Sequence, residues 1–530
     1  MSTAAPSAAD ELRRAVRATL MPGFEGFVAP EWLCDALGDG LLSACVYGAN
    51  VRDRAQLDAL GAQLQAAAPG ALIAIDEEGG EVTRLHYLDG APYPGAAILG
   101  RIDDLAYTEE IGRRVAADIL ASGFTLALAP DADVNSNPDN PVIGTRSFGA
   151  DPELAARHTA AWVRGLQSVG AIACPKHFPG HGDTAQDSHL MLPTVDADLA
   201  LLEARDLPPF RAAIAAGART IMTSHILLPE IDPSGPATFS RPILEGLLRE
   251  RLGFTGAIVS DALDMRGASG EIGIPEAAVR ALAAGCDLLC LGTATGAAGL
   301  RAIEDHVLAA VAAGRLDAAR VTQAAARVRE LCAVSGASGL AEIPAPPAPG
   351  AAELDRVARS FAGADAARAW CAAHPGARVL RVDTEANMAV GHTPWGPFAP
   401  AAHELAGSAA ARSFTARPLV AVTEQTAAPW LPAPGGAVSA MPAPATPALA
   451  TPAAPAADPG TLVIGRDLHR SQFARGGIAA LRAAGHAVFT VDMGWPADPG
   501  GASGYADLAS FGSSALAGAA LLHITEGAGA

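Results

Sequence analysis

Through the first 335 residues, short apolar, β-prone runs alternate with longer Ala/Leu/Arg-rich stretches of helical period. Eight runs read as strands: "TLMPGF" from Thr19, "LLSACVYG" from Leu41, "ALIAID" from Ala71, "TLALAPDADV" from Thr125, "AIACPKHF" from Ala171, "TIMTSHI" from Thr220, "GAIVSDAL" from Gly256 and "CDLLCLG" from Cys286. Eight such strand–helix units predict an α/β chain whose residues 1–335 fold as a (β/α)8 TIM-type barrel. In that architecture the C-terminal ends of the strands ring one mouth. The polar residues there should therefore converge: Asp76, Glu77 and Glu78 after the third run, Asp131 and Asp133 in the fourth, Lys176 and His177 in the fifth, Ser224 and His225 in the sixth, and Asp261 in the seventh.

The pattern changes after Ser335. A Pro/Ala-rich stretch, 336–358, reads as a linker. Residues 359–530 read as a smaller α/β sandwich domain, with strands in "ARVLRVD", "TLVIGRD" and "HAVFTVDM" and a helix in "SQFARGGIAALRAAG". Inside it, the Ala/Pro-dominated residues 427–460 predict a low-complexity excursion rather than a packed element.

Composition narrows the partners. A length of 530 residues suits two domains, and a net charge of −19 supplies no basic field for nucleic acid or an anionic membrane. No apolar run reaches the roughly 18 to 20 residues of a membrane helix, and the N-terminus lacks a basic segment followed by an apolar core. Seven cysteines, an odd number without CxxC pairs, suit reduced buried thiols. The expectation is a cytoplasmic protein with a small-molecule substrate and no evident protein partner.

The densest chemistry lies in "ACPKHFPGHGDTAQDSHL", with Lys176, His177, His181, Asp183, Asp187 and His189. A metal site is disfavoured: Pro179, Gly180 and Gly182 break any helix that would put His177 and His181 on one face, and no HExxH glutamate is present. No metal or other cofactor is expected. Asp187 and His189 stand two apart, and in extended chain such side chains project to the same side, so the carboxylate can orient the imidazole as a general acid/base. Asp261 closes an apolar strand, and Asp76 is followed by Gly79–Gly80, where the chain can turn beneath a ligand. Arg146, on the loop after the fourth run, offers a planar fork for vicinal hydroxyls. Alone, each of these is as readily a cap or an ion-pair partner. Together, Asp76, Arg146, Lys176 and His177 with one strand-end carboxylate and one acid/base suit a polyhydroxylated ring, and hydrolysis of its glycosidic bond needs that pair.

Four long motifs carry a more specific resemblance: "IAIDEEGGEVTRL", "DADVNSNPDNPVIGTRSFG", "KHFPGHGDTAQDSHL" and "SRPILEGLLRERLGFTGAIVSDALDM". Over roughly Leu20 to Glu330 the chain resembles glycoside hydrolase family 3, in particular its β-N-acetylglucosaminidase branch. The resemblance implies a retaining exo-acting enzyme with a glycosyl-enzyme intermediate, Asp261 as nucleophile, His189 with Asp187 as acid/base dyad, and Asp76, Arg146, Lys176 and His177 as substrate-binding residues. Glu81 departs from the pattern, since members often carry arginine there. A role in cell-wall or amino-sugar recycling fits such a substrate. The alternatives are a phosphorylase or β-glucosidase of the same family, and, from other classes, a metal-dependent hydrolase or a non-catalytic sugar-binding protein.

Overall fold

The computed structural model describes residues 7–185, 191–270, 272–293, 295–335, 349–384, 387–424, 430, 458–497 and 504–526. Each of the eight expected runs holds a strand: β1 Leu20–Met21, β2 Ser43–Val46, β3 Leu72–Ile75, β4 Leu126–Ala127, β5 Ile172–Ala173, β6 Thr220–Met222, β7 Ala257–Val259 and β8 Leu289–Cys290. Regular parallel ladders join β8 to β1, β2 through β5 in order, and β6 to β7. Three thinner junctions complete the ring. The Cys45 amide donates to the Pro22 carbonyl at 2.9 Å between β1 and β2, Phe178 bridges Thr223 beyond β5 and β6, and Val259 bridges Leu288 between β7 and β8.

Alternation along the strands sorts the core into two layers. Leu72 and Ala74 point into the barrel with Met21, Leu126, Met222 and Val259, while Ile73 and Ile75 face the surrounding helices. Helix Ala318–Ser335 covers the interior cluster through Val328 and Leu331. At the start of β8, Asp287 is fully buried and accepts from Arg249 at 2.5 Å, Arg320 at 2.6 Å and Arg327 at 3.0 Å, and from the Ile258 amide at 2.9 Å. One carboxylate thus ties two helices, Pro242–Arg251 and Ala318–Ser335, to the two strands that complete the ring.

The second domain is a five-stranded parallel sheet of β9 Arg378–Asp383, β10 Leu419–Thr423, β11 Thr461–Gly465, β12 Val488–Asp492 and β13 Leu508–Ala509, in the order β10-β9-β11-β12-β13. Helix Gln472–Ala483 follows β11 as its sequence predicts. β10 and β13 are additions to the expected elements: the first is an edge strand with three of five residues exposed, and the second is two residues long. Neither leaves a legible apolar run. The expected linker divides. Residues 336–348 lie outside the described residues, whereas Ala351–Ser360 form a helix whose Leu354, Val357 and Ala358 are buried on one face. The i, i+3, i+4 spacing of those three is hidden in a Pro/Ala texture. Of the expected excursion, 427–429 and 431–457 lie outside the described residues.

The domains meet on the barrel loops after β3 and β4. Glu353 pairs with Arg114 at 3.1 Å and accepts from the Tyr107 hydroxyl at 2.7 Å. Glu81 accepts from the Ser513 amide at 2.9 Å, and Arg84 donates to the Ala389 carbonyl at 2.8 Å. Among the described residues no helix is long and apolar enough to cross a membrane.

Removing one member of a buried ion cluster leaves the others uncompensated, typically at about 3 to 5 kcal/mol. Asp287→Ala should therefore cost stability on that scale and lower the thermal midpoint, while Asp305→Ala, an exposed partner of Arg13, should move it by roughly 0.5 kcal/mol or less. Calorimetry on the two variants checks the difference.

Candidate active site

Asp76 stands at the end of β3, Lys176 and His177 follow β5, Arg146 ends a short turn, Gly144–Arg146, in the loop after β4, and Asp261 follows β7. All five line one cavity of about 350 Å³ at the strands' carboxyl ends. Tyr47, Leu128, Met222 and Cys290 line it from the barrel side. Glu78, two residues beyond Asp76, joins them.

Glu78 is the hub. Its two oxygens accept from Arg146 Nε at 3.0 Å and Nη2 at 2.8 Å, and Oε1 lies 2.8 Å from Lys176 Nζ. Lys176 also donates to Asp76 Oδ1 at 3.1 Å, and Arg84 reaches Asp76 Oδ2 at 3.5 Å. Burial by itself would raise the Glu78 carboxyl, but Arg146 and Lys176 outweigh it and hold the group well below the usual carboxylate range. The same balance keeps Asp76 below its ordinary value, through Lys176 and Arg84. Burial would lower the Lys176 ammonium, yet Glu78 and Asp76 raise it above its usual value. The cluster is thus held in its charged state, with Asp76 the most open of the set at 17% side-chain exposure.

Behind this cluster, Asp133 Oδ2 lies 2.7 Å from His177 Nδ1, and its Oδ1 accepts from the His181 amide at 2.7 Å and the His177 amide at 3.2 Å. The dyad leaves His177 Nε2 turned toward Arg146 Nη2 at 3.5 Å. Asp131 is buried next to it; desolvation, with Asp133 adding to it, pushes its carboxyl well up and favours the neutral acid. Asp131, Asp133 and His177 do bring ligand atoms within 4.8 Å of one another. A cation among them would face the Arg146 guanidinium, 3.5 Å from Asp131 Oδ2, and would displace the His177–Asp133 hydrogen bond. That is a poor metal site.

Asp261 is oriented by its own backbone, the Ala262 amide donating to Oδ1 at 2.8 Å and the Asp261 amide donating to Thr223 Oγ1 at 3.3 Å. Asp187 and His189 lie outside the described residues. Three strand-end residues do not converge. Glu77 turns away to accept from Thr83 Oγ1 and the Arg84 and Leu85 amides, and His225 is engaged with Thr238 and the Ala262 carbonyl. Ser224 donates to the Phe178 carbonyl at 3.0 Å. Conversely, the cavity gains two residues from the second domain, Met388 and Ala389, that no local pattern marks. Glu81 is explained by its partners: half-buried, it accepts from Thr145 Oγ1 at 3.0 Å and the Ser513 amide at 2.9 Å, so it joins the Arg146 turn to the second domain.

A cavity at the carboxyl ends of parallel barrel strands, with paired cations and carboxylates on one side and a strand-end carboxylate on another, defines a carbohydrate-processing barrel enzyme. Residues 29–331 match the model of the glycosyl hydrolase family 3 N terminal domain, and the chain belongs to that family of glycoside hydrolases. A β-hexosaminidase of Stenotrophomonas maltophilia (strain K279a) is 38% identical over 257 residues, which are 47% of this chain and 76% of that protein. One of Chromobacterium violaceum is 39% identical over 282 residues, 52% of this chain and 78% of the relative. The solved structure of a glycoside hydrolase family 3 β-N-acetylglucosaminidase from Paenibacillus sp. str. FPU-7 superposes over 98% of this chain and 97% of its own, with a TM-score of 0.76 and 26% identity. Both domains, not the barrel alone, therefore share that arrangement.

His181 supplies a pH test. Burial, opposed by Asp133, pushes its imidazole down to about 4 from an ordinary 6.5. The native state thus stays neutral where an unfolded histidine takes up a proton, so this contribution to stability is complete above about 6.5 and is lost as pH falls from 6.5 through 4. His181→Gln cannot titrate. Its thermal midpoint should gain on that of the wild type as pH falls through this window, and parallel curves would show that His181 does not carry the dependence.

Proposed function

We propose that the protein is a retaining, exo-acting β-N-acetylglucosaminidase that removes terminal non-reducing N-acetylglucosamine through a covalent glycosyl-enzyme intermediate. The supporting observation is the single cavity in which Asp261 shares walls with the Asp76–Lys176–Glu78–Arg146 cluster. At about 350 Å³ it stands near the small end of ligand pockets, roughly 300 to 1,000 Å³, and suits one substituted sugar ring. The relatives named β-hexosaminidase and β-N-acetylglucosaminidase support the same reading of the substrate.

In this mechanism Asp76 accepts from a ring hydroxyl while Lys176, Arg146 and His177 donate or accept at its neighbours. Asp261 attacks the anomeric carbon as the bond to the leaving oxygen breaks. His189, oriented by Asp187, gives its proton to that oxygen and then takes one from the water that attacks the glycosyl-enzyme. An imidazole in place of a second carboxylate keeps negative charge away from the acceptor. We also place the protein in the cytoplasm, in turnover of amino-sugar polymers; all seven cysteines are free thiols, as a reducing compartment keeps them.

Asp261→Ala should abolish most turnover, and azide should restore part of it with a glycosyl azide of inverted configuration; full activity without azide would refute the nucleophile. Product analysis with and without phosphate separates hydrolysis from phosphorolysis, free N-acetylglucosamine in both being the expected result. His189→Ala should lose about 10² to 10⁴-fold on substrates with a sugar leaving group and far less on an activated aryl glycoside. Asp187→Ala should show the same pattern more weakly, and equal losses on both substrates would contradict the acid role.

A further inference from the structure

We propose that the sulfur-lined floor of the inner cavity binds a monovalent soft cation, of the Cu⁺ or Ag⁺ class, through Cys290 and Cys45, and that its occupancy stops turnover. The effect on turnover rests on the glycosidase reading above; the site itself rests on a different set of residues.

Below the charged cluster the cavity wall changes character. Cys290 and Met222 border the space, and Met21, Cys45 and Cys174 lie with them in the interior layer of the barrel. The strand register places the two thiols. Cys45 stands opposite Ala74 of β3 and Cys290 opposite Met21 of β1, so both face the barrel axis. β1 runs between their strands and ends toward Gly23, which has no side chain to fill that face. A Cβ there would overlap the Gly292 carbonyl and stand 2.6 Å from the Tyr47 ring. Across this gap Cys45 and Cys290 come within hydrogen-bond reach of each other. The Tyr47 hydroxyl, 3.0 Å from Cys290 Sγ, also meets the Cys45 thiol. Both cysteines are free and buried, and Cys290 is the one that borders the cavity.

The ligand set selects the ion. Thiolate and thioether sulfurs are soft donors that favour Cu⁺ and its heavier congener Ag⁺, whereas a structural zinc gathers four nitrogen or sulfur donors in a tetrahedron. A pair of adjacent thiols suits the lower coordination number of the monovalent ions. Charge selects in the same direction. Cys290 exchanges its proton for the cation, the proton leaves through the cavity, and the thiolate and the M⁺ ion cancel. Cys45 as a thiol, with the thioether of Met21 or Met222, completes the shell as neutral donors, so no net charge is added to the apolar interior. A divalent ion would need both thiols to lose their protons, and Cys45 does not line the cavity. The bound ion is inhibitory because of what shares its space. Asp261 lines the same cavity of about 350 Å³, and a cation at Cys290 both takes room from the sugar ring and draws on the negative charge with which the nucleophile attacks.

The probe is Ag⁺ alone, added as its nitrate in chloride-free buffer to the full-length protein. Silver retained per chain after gel filtration is measured by mass spectrometry, beside the silver concentration that halves turnover of 4-nitrophenyl N-acetylglucosaminide. Each rate is taken relative to the metal-free rate of the same variant. Cys290→Ala should retain one silver fewer per chain than the wild type, and its half-inhibiting concentration should rise by about 10-fold or more. Cys45→Ala should shift inhibition in the same direction, whereas Cys34→Ala, at a half-buried thiol outside the cavity, should not shift it. Cys290→Ser keeps the size of the side chain and serves where the alanine variant does not fold. Equal retention by the wild type and the Cys290 variants would overturn the site. Retention lost with Cys290 while inhibition stays unchanged would overturn its link to turnover. A metal-free wild type without turnover would overturn the activity reading, and the difference in retention would still decide the site.

Discussion

Two cations and two carboxylates must be kept together at the mouth of the barrel where little water reaches them. Lys176, Arg146, Glu78 and Asp76 come from loops after three successive strands, and each is uncompensated without the others. A buried charge without its partner costs several kcal/mol, so the strand order β3-β4-β5 and the charge arrangement enforce one another. In the proposed mechanism the cluster also lets a strongly acidic protein offer donors to a polyhydroxylated ring. There its cations are already neutralised by Glu78, which leaves Asp76, the most open member at the cavity, as the group to meet a hydroxyl.

Much of this was legible because barrel strands are apolar until they reach the mouth. Asp76, Lys176, His177 and Asp261 stand where such runs end, and the cavity contains all four. The same rule over-reads Glu77, Ser224 and His225, because a strand end fixes where a backbone stops and not which way the next side chain turns. Glu77 is drawn inward by three donors, and His225 by Thr238. Glu78 was visible as a strand-end carboxylate, but nothing local distinguishes the hub of a network from its neighbour. In the second domain only the central strands, where both faces are covered, carry a legible pattern; its exposed edge and its two-residue strand lack the apolar signal. Met388 and Ala389 are beyond any local reading, since they reach the cavity by docking of one domain on another.

That docking gives Glu81 its meaning. In the barrel sequence it is a departure from the family pattern. In the fold it is an acceptor shared between the Thr145 hydroxyl and the Ser513 amide, one residue from the Arg146 side chain. Burial raises its carboxyl, with Arg466 opposing from the second domain. The substitution of a negative for a positive side chain thus belongs with the partner surface rather than with the reaction.

The Val142 carbonyl accepts from Arg146 Nη1 at 3.2 Å and from the second domain's Asn387 Nδ2 at 2.9 Å. One oxygen is therefore common to the guanidinium proposed to hold the sugar and to the domain boundary. Thermodynamic linkage is reciprocal: whatever factor the docked second domain contributes to affinity for the sugar, the sugar returns to the affinity of the two domains for each other. Occupancy of the pocket and cohesion of the molecule are then two readings of one coupling free energy.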